Sequence, residues 1–256
     1  SAPPPTLAQV TVNPAIVVGG TSAQGTVSLS GPAPAAGAVV SLSSSDPSTT
    51  VPLTVTVPAN AVSANFTITT ATVGTVTQLN ISGSYNGSAQ TGFTVNSGTL
   101  ISQAGWSLLY ADSQETTCYN GAATNAFDGN PATAWSTPFC TSAPPGPHEI
   151  QINLGASHTL TAFRYLAQQD GSSCGWIQQY EFYVSSDGLT WGTPVATGSF
   201  DYTGLTQACF GPGASLPPAQ QVAFPAVTAQ YIRFREITGF EGTPVAAVAE
   251  LNVLGQ

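Results

Sequence analysis

The chain has no lysine and no methionine. Its three basic residues are Arg164, Arg233 and Arg235, and charged residues are 6% of the total, against the roughly 25% usual in soluble proteins. With a net charge of -9 it has no basic patch to neutralise phosphates, which excludes nucleic acid as a partner. The same lack excludes docking on anionic lipid through a polybasic surface. No apolar run approaches the roughly 18 residues of a membrane-spanning helix, so membrane insertion is not expected. No CxxC pair occurs among the four cysteines. An even cysteine number without metal-type spacing points to two disulfides and an extracellular setting. HExxH and phosphate-binding glycine motifs are absent, and neither histidine, His148 or His158, sits in a catalytic pattern. The chain is therefore expected not to be an enzyme.

What is present divides in two. Residues 1–98 contain a single charged side chain, Asp46, and all other acids and all arginines follow it. The break predicts two domains, 1–98 and 99–256, joined near Asn96–Thr99. In the first, LAQVTV, TVSLS, VVSLS, LTVTV, NFTIT, LNISGSY and GFTV alternate with period two between Gly, Pro, Asn and Asp turns. About seven strands in about ninety residues suggest an immunoglobulin-like sandwich, similar to Ig-like repeats of bacterial surface proteins. Sequons fall at Asn65, Asn80 and Asn86. The start, SAPPPTLAQV, reads as that of a mature chain whose leader has been removed.

The second half is also all-β, with HEIQINL, TAFRYLA, YEFYVSS and QYIRFREI alternating and Asp187-Gly188 marking a hairpin turn. No helical pattern longer than two turns stands out, and a jelly-roll sandwich fits.

AFDGNPATAWST, PHEIQINLG, QDG, GWIQQYEFYVSSDGLTWGTPVATGSF, QYIRFREI and AELNVLG follow one another in this half. Together they resemble the coagulation-factor type C (discoidin-like) domain, in particular the galactose-binding-like module that accompanies galactose oxidases and sialidases. The resemblance spans about 101–256. It implies a jelly roll and a structural Ca²⁺, an ion that takes six to eight oxygen ligands. The implied ligands are the carbonyl of Asn125, the side chains of Asp128 and Asn130, Thr133, the carbonyl of Ala249, and Glu250. Trp135 is expected in the core.

Sugar-binding relatives place a His after that Trp, an Arg before QDG, an Asn after it and an aromatic near the C-terminal loop. Here Ser136, Gln168, Cys174 and Val245 stand at those positions, so the usual galactose site is absent or rebuilt. Candidates for a rebuilt ligand face are Ser136, Phe139, Gln168, Asp170, Trp176, Phe240 and Glu241, with Tyr119 nearby. Of the three possible connectivities, Cys118–Cys140, bracketing the metal loop, and Cys174–Cys209, tying the QDG loop to GLTQACFGPG, are favoured. Two functions follow as expectations. One is a secreted glycan- or surface-binding adhesion module on an Ig-like spacer, stabilised by Ca²⁺ and disulfides. The other is a self-assembling subunit of an extracellular filament or layer, its copies joined head to tail by the N-terminal segment adding a strand to a neighbour.

Overall fold

The computed structural model describes residues 3–209 and 213–256. The chain forms two compact units, Ser1–Gly98 and Thr99–Gln256. Strands dominate both, and the helical segments among the described residues are two short 3₁₀ turns, Ala123–Phe127 and Phe240–Gly242.

The first unit has nine strands: β1 (Leu7–Asn13), β2 (Ile16–Val18), β3 (Ser22–Leu29), β4 (Ala38–Ser44), β5 (Thr49–Thr50), β6 (Thr54–Val57), β7 (Ser63–Thr70), β8 (Thr77–Ser84) and β9 (Ser88–Asn96). The count exceeds the sequence expectation because β2 and β5, too short to show a period, pair at the sheet edges. The sheets run β1-β3-β7-β5 and β2-β9-β8-β4-β6. Period-two alternation turns Val27, Leu29, Phe66 and Ile68 of the first sheet and Val40, Leu42, Ile81 and Phe93 of the second into one core. Gly25 is required there, because a Cβ would meet the ring of Phe66 on the neighbouring strand.

LAQVTV, in the N-terminal segment, forms β1 and pairs antiparallel with β3 of the same chain, Leu7 opposite Leu29. Pro5 and Thr6 are tied down as well, by Asn86 Nδ2 donating to Pro5 O and Thr6 N donating to Ser30 Oγ. Ser1 and Ala2, at the head of that segment, lie outside the described residues.

The second unit comprises β10 (Ser107–Ala111), β11 (Trp135–Ser136), β12 (His148–Leu166), β13 (Ile177–Ser185), β14 (Ala196–Ser199), β15 (Gln220–Gly239), β16 (Ala247–Val248) and β17 (Glu250–Gly255). The main sheet runs β10-β12-β15-β13-β14, and β17 also pairs with β12. Strand β12 changes partner along its length: its first half pairs with β10, its second half with β17. Between the halves the register shifts at Asn153–His158, where Gly155 takes φ +79° and packs its backbone against Gly105. The two ends of the unit meet, with Ile101 N donating to Val253 O and Gly255 N to Thr99 O. The core is aromatic: Phe163 stacks on Phe182 at 4.3 Å, and Tyr165 and Tyr180 stack on Phe200 at 4.3 and 4.4 Å. Trp135 is buried among them, its indole N–H donating to Ser113 O.

Candidate functional site

At one end of the second unit, loops leaving the sheet enclose a pocket of about 190 Å³ lined by Tyr119, Ser136, Phe139, Gln168, Asp170, Ser172, Cys174, Gly175 and Val245. Ser136, Gln168, Cys174 and Val245 are distant in sequence and meet here. The rings of Tyr119 and Phe139 stand 6.4 Å apart at 49° and are partly exposed. Asp170 Oδ1 accepts the N–H of Ser172, and Gln168 Nε2 donates to Ser172 O.

The two aromatic walls are held from behind. Each adjoins a half of the Cys118–Cys140 disulfide, and Cys174–Cys209 fixes the opposite loop. The adjoining loop 204–213 includes residues 210–212, which lie outside the described residues. Beneath the walls lies Glu115, 2% exposed, whose carboxylate accepts N–H bonds from Thr117 (2.6 Å), Phe139 (3.1 Å) and Cys140 (3.2 Å). The Phe139 and Thr117 amides hold its pKa down at about 2, against the desolvation that opposes them. Oxygen and sulfur atoms of Glu115, Cys118 and Cys140 cluster closely, but the sulfurs are bonded to each other and the carboxylate is occupied by amides. The group is a brace, not a metal centre. Sequence reading missed Glu115; its signal was an acid three residues before a cysteine in a chain where acids are scarce.

Three expected ligand-face residues lie elsewhere. Trp176 is fully buried, stacked on Tyr202 at 4.7 Å and packed against Phe240 at 5.6 Å. A large ring just after a disulfide-fixed loop can go inward as easily as outward, and here Tyr202 and Phe240 supply the apolar bed. Phe240 and Glu241 form the 3₁₀ turn on the far side of that stack and do not line the pocket.

At the other loop cluster, Asp128 Oδ1 accepts the N–H of Asn130, Asp128 Oδ2 accepts the Thr133 hydroxyl, and Asn130 Oδ1 accepts the N–H of Ala132. The Asn125 amide is spent on Asn120 O and Ala134 O, leaving its carbonyl as its contribution. Glu250 reaches this loop from β17. Its Oε2 accepts from Gln103 Nε2 at 3.0 Å, while Oε1 is buried without a hydrogen-bond partner. Burial pushes the Glu250 pKa up; Gln103 opposes this, and the charge of Asp128 adds to it. A buried, unpartnered carboxylate oxygen beside a second carboxylate is costly unless a cation neutralises both. The donors are all oxygens, which suits a hard cation such as Ca²⁺. Gln103, as a partner of Glu250, was not legible beforehand.

The F5/8 type C domain model matches residues 110–251. A sialidase of Micromonospora viridifaciens is 40% identical over 171 residues, 66% of this chain and 24% of that protein. A galactose oxidase of Gibberella zeae is 32% identical over 157 residues, 61% of this chain and 21% of that protein. The chain thus spans about a quarter or less of these relatives' length. Among solved structures, CBM32-3 from a family 31 glycoside hydrolase of Clostridium perfringens superposes with a TM-score of 0.52 at 26% identity, covering 61% of this chain and 95% of that one. CpGH89CBM32-5 of the same organism, solved in complex with GalNAc-beta-1,3-galactose, gives 0.51 at 26% identity over 61% of this chain and 100% of that one.

Proposed function

This chain belongs to the F5/8 type C domain family, and from that membership we propose that it is a secreted, non-catalytic carbohydrate-binding protein whose second unit holds the end of a glycan. The observation that carries the reading is the pocket itself. The four positions at which sugar-binding relatives place their contacts converge on it, and although each has changed residue, two new rings, Tyr119 and Phe139, flank it. Aromatic rings offer a face to the apolar C–H patch of a sugar, and Asp170 and Gln168 offer acceptors to its hydroxyls. At about 190 Å³ the pocket is smaller than the roughly 300–1,000 Å³ of drug-sized sites, which suits one terminal ring with the rest of the glycan outside.

Ca²⁺ completes the proposal as a structural ion held by Asp128, Asn130, Thr133, Glu250 and the carbonyls of Asn125 and Ala249. Its contribution when bound is charge neutralisation that ties the 125–133 loop to the last strand. The first unit acts as an Ig-like spacer, and the two disulfides fit an oxidising extracellular setting. The test is calorimetric titration of the full chain with a panel of mono- and disaccharides, beside Phe139→Ala. Saturable binding weakened by that substitution supports the proposal, and binding indifferent to it removes the pocket from the reading.

A further inference from the structure

The pocket is unusual in what surrounds its one carboxylate. Every basic side chain of the chain lies elsewhere in the second unit. Arg235 pairs with Glu181 at 3.3 Å and Glu149 at 3.8 Å. Arg233 lies 3.9 Å over the ring of Tyr183 and 5.2 Å from that of Trp191. Arg164 lines the cavity beside Glu250. His148 is buried against Asp112, and His158 sits on β12 opposite Ala229. With no lysine in the chain, no cationic side chain among the described residues lines the pocket with Asp170.

The remaining polar supply is the acceptors of Asp170 and Gln168, with the hydroxyls of Ser172 and Tyr119 beside them. Asp170 Oδ1 takes the Ser172 N–H, and its second oxygen has no hydrogen bond among the described residues. Gln168 spends its N–H on Ser172 O, which leaves Oε1 as its open group. Ser136 donates its hydroxyl to Thr137 O. The Tyr119 phenol has its pKa raised, first by burial and then by the charge of Asp170, which places the carboxylate within electrostatic reach of that ring. Two rings inclined at 49°, a free carboxylate oxygen and no competing cation are what an ammonium group needs: cation–π attraction from the faces and an ion pair at the rim.

We propose that this pocket selects sugars bearing a protonated amine, a hexosamine with its nitrogen free, over the N-acetylated and the neutral sugar, and rejects acidic sugars. This rests on the reading of the pocket as a glycan site. N-acetylation removes the charge and adds bulk to a cavity of about 190 Å³. A uronic acid would set carboxylate against carboxylate with no cationic side chain lining the pocket, and the net charge of -9 adds to the repulsion at longer range.

The experiment is calorimetric titration of the full chain with glucosamine and galactosamine, their N-acetylated forms, galactose and galacturonic acid, below the amine's pKa and at two salt concentrations. Asp170→Asn runs in parallel; its amide oxygen can still accept the Ser172 N–H, so the loop is kept. A free-amine preference of about tenfold that shrinks with salt and vanishes in Asp170→Asn is expected. The wild-type salt dependence stands as evidence even if the variant fails to fold. Equal or tighter binding of the N-acetylated or neutral sugars overturns the amine selectivity and leaves the glycan-binding reading standing. Failure of every sugar to bind overturns both.

Discussion

His148 Nδ1 lies 2.7 Å from Asp112 Oδ2, and on the other side of the ring Nε2 meets the carbonyl oxygens of Pro144 at 3.2 Å and Pro244 at 3.1 Å. Acceptors flank both nitrogens, an arrangement that favours the doubly protonated imidazolium. It joins β10 to the loop that follows Cys140 and to the loop that carries Val245 into the pocket. Glu236, 3% exposed, accepts the backbone N–H of His148 from β15 and adds a second negative charge.

A pH dependence follows. Burial opposes the His148 cation, but the Asp112 hydrogen bond, the Pro244 carbonyl and the charges of Asp112 and Glu236 outweigh it, and its pKa is raised above the ordinary 6.5. Its stabilisation is therefore complete below about 6.5 and lost as pH rises through the higher folded value. Glu236, pushed up by burial, acts in the same direction from about pH 4.5 upward. Asp112 runs the other way: burial notwithstanding, the bonds from His148 and Glu149 lower its pKa, so its contribution is lost as pH falls below about 4. Melting temperature against pH is expected to decline on the alkaline side. His148→Gln should cost about 2 kcal/mol at pH 6 and flatten that limb; an unchanged limb contradicts the imidazolium.

Glu115 is expected to matter to binding more than its distance from solvent suggests. Glu115→Gln leaves the chain length intact but turns one acceptor into a donor that faces either the Thr117 amide at Oε1 or the Phe139 and Cys140 amides at Oε2. Weaker sugar binding with Phe139 otherwise untouched is the expected result, and rising acidity should do the same to the parent as pH falls from about 4.5 toward 2. Titration of the variant checks the first and a binding–pH profile the second.

Trp176 and Phe139 should separate cleanly. Trp176→Ala removes a fully buried indole and is expected to cost about 3–5 kcal/mol of stability. Phe139→Ala removes a ring 38% exposed and should lower affinity with a much smaller change in melting temperature. Chemical denaturation of both variants beside titration shows whether the two effects divide this way.

The disulfides close segments separated by 22 and 35 residues, so each is expected to contribute about 3–4 kcal/mol by restricting the unfolded chain. Reduction should lower the melting temperature and weaken sugar binding together, because Tyr119 and Phe139 adjoin Cys118 and Cys140. Loss of stability without loss of binding at a temperature where the chain stays folded would show that the walls hold without the bond.

Much of this was legible in residue order, for physical reasons that differ by element. Alternation in NFTIT and LNISGSY maps directly onto buried Phe66, Ile68, Leu79 and Ile81, because a strand in a two-layer packing has one face to bury. Edge pieces such as Thr49–Thr50 were not legible, since two residues show no period. The pocket positions Ser136, Gln168 and Val245 were found through family motifs, but which aromatic faces them was not. Trp176 and Phe139 both neighbour a Cys-bearing loop, and the choice is set by Tyr202 and Phe240, which arrive from distant sequence. The strand Leu7–Asn13 was legible as LAQVTV, but its pairing with β3 was not, because a partner's register cannot be read from a strand's own alternation.

For the cation, removal is informative. EDTA is expected to lower the melting temperature of the parent, because Glu250 Oε1 is then left buried without a hydrogen-bond partner and within reach of the Asp128 charge. Asp128→Ala should lower it as well and abolish the response to EDTA. A parent melt indifferent to EDTA and to added Ca²⁺ would remove the ion from the proposal.

The most direct measurement is calorimetric titration of the intact chain and of Phe139→Ala with terminal monosaccharides, free-amine, N-acetylated and neutral. A carbohydrate-binding pocket between Tyr119 and Phe139 requires saturable binding to at least one of them and its loss in the variant, with the fold intact by melting. No binding to any sugar, or binding that survives the loss of the Phe139 ring, would contradict it.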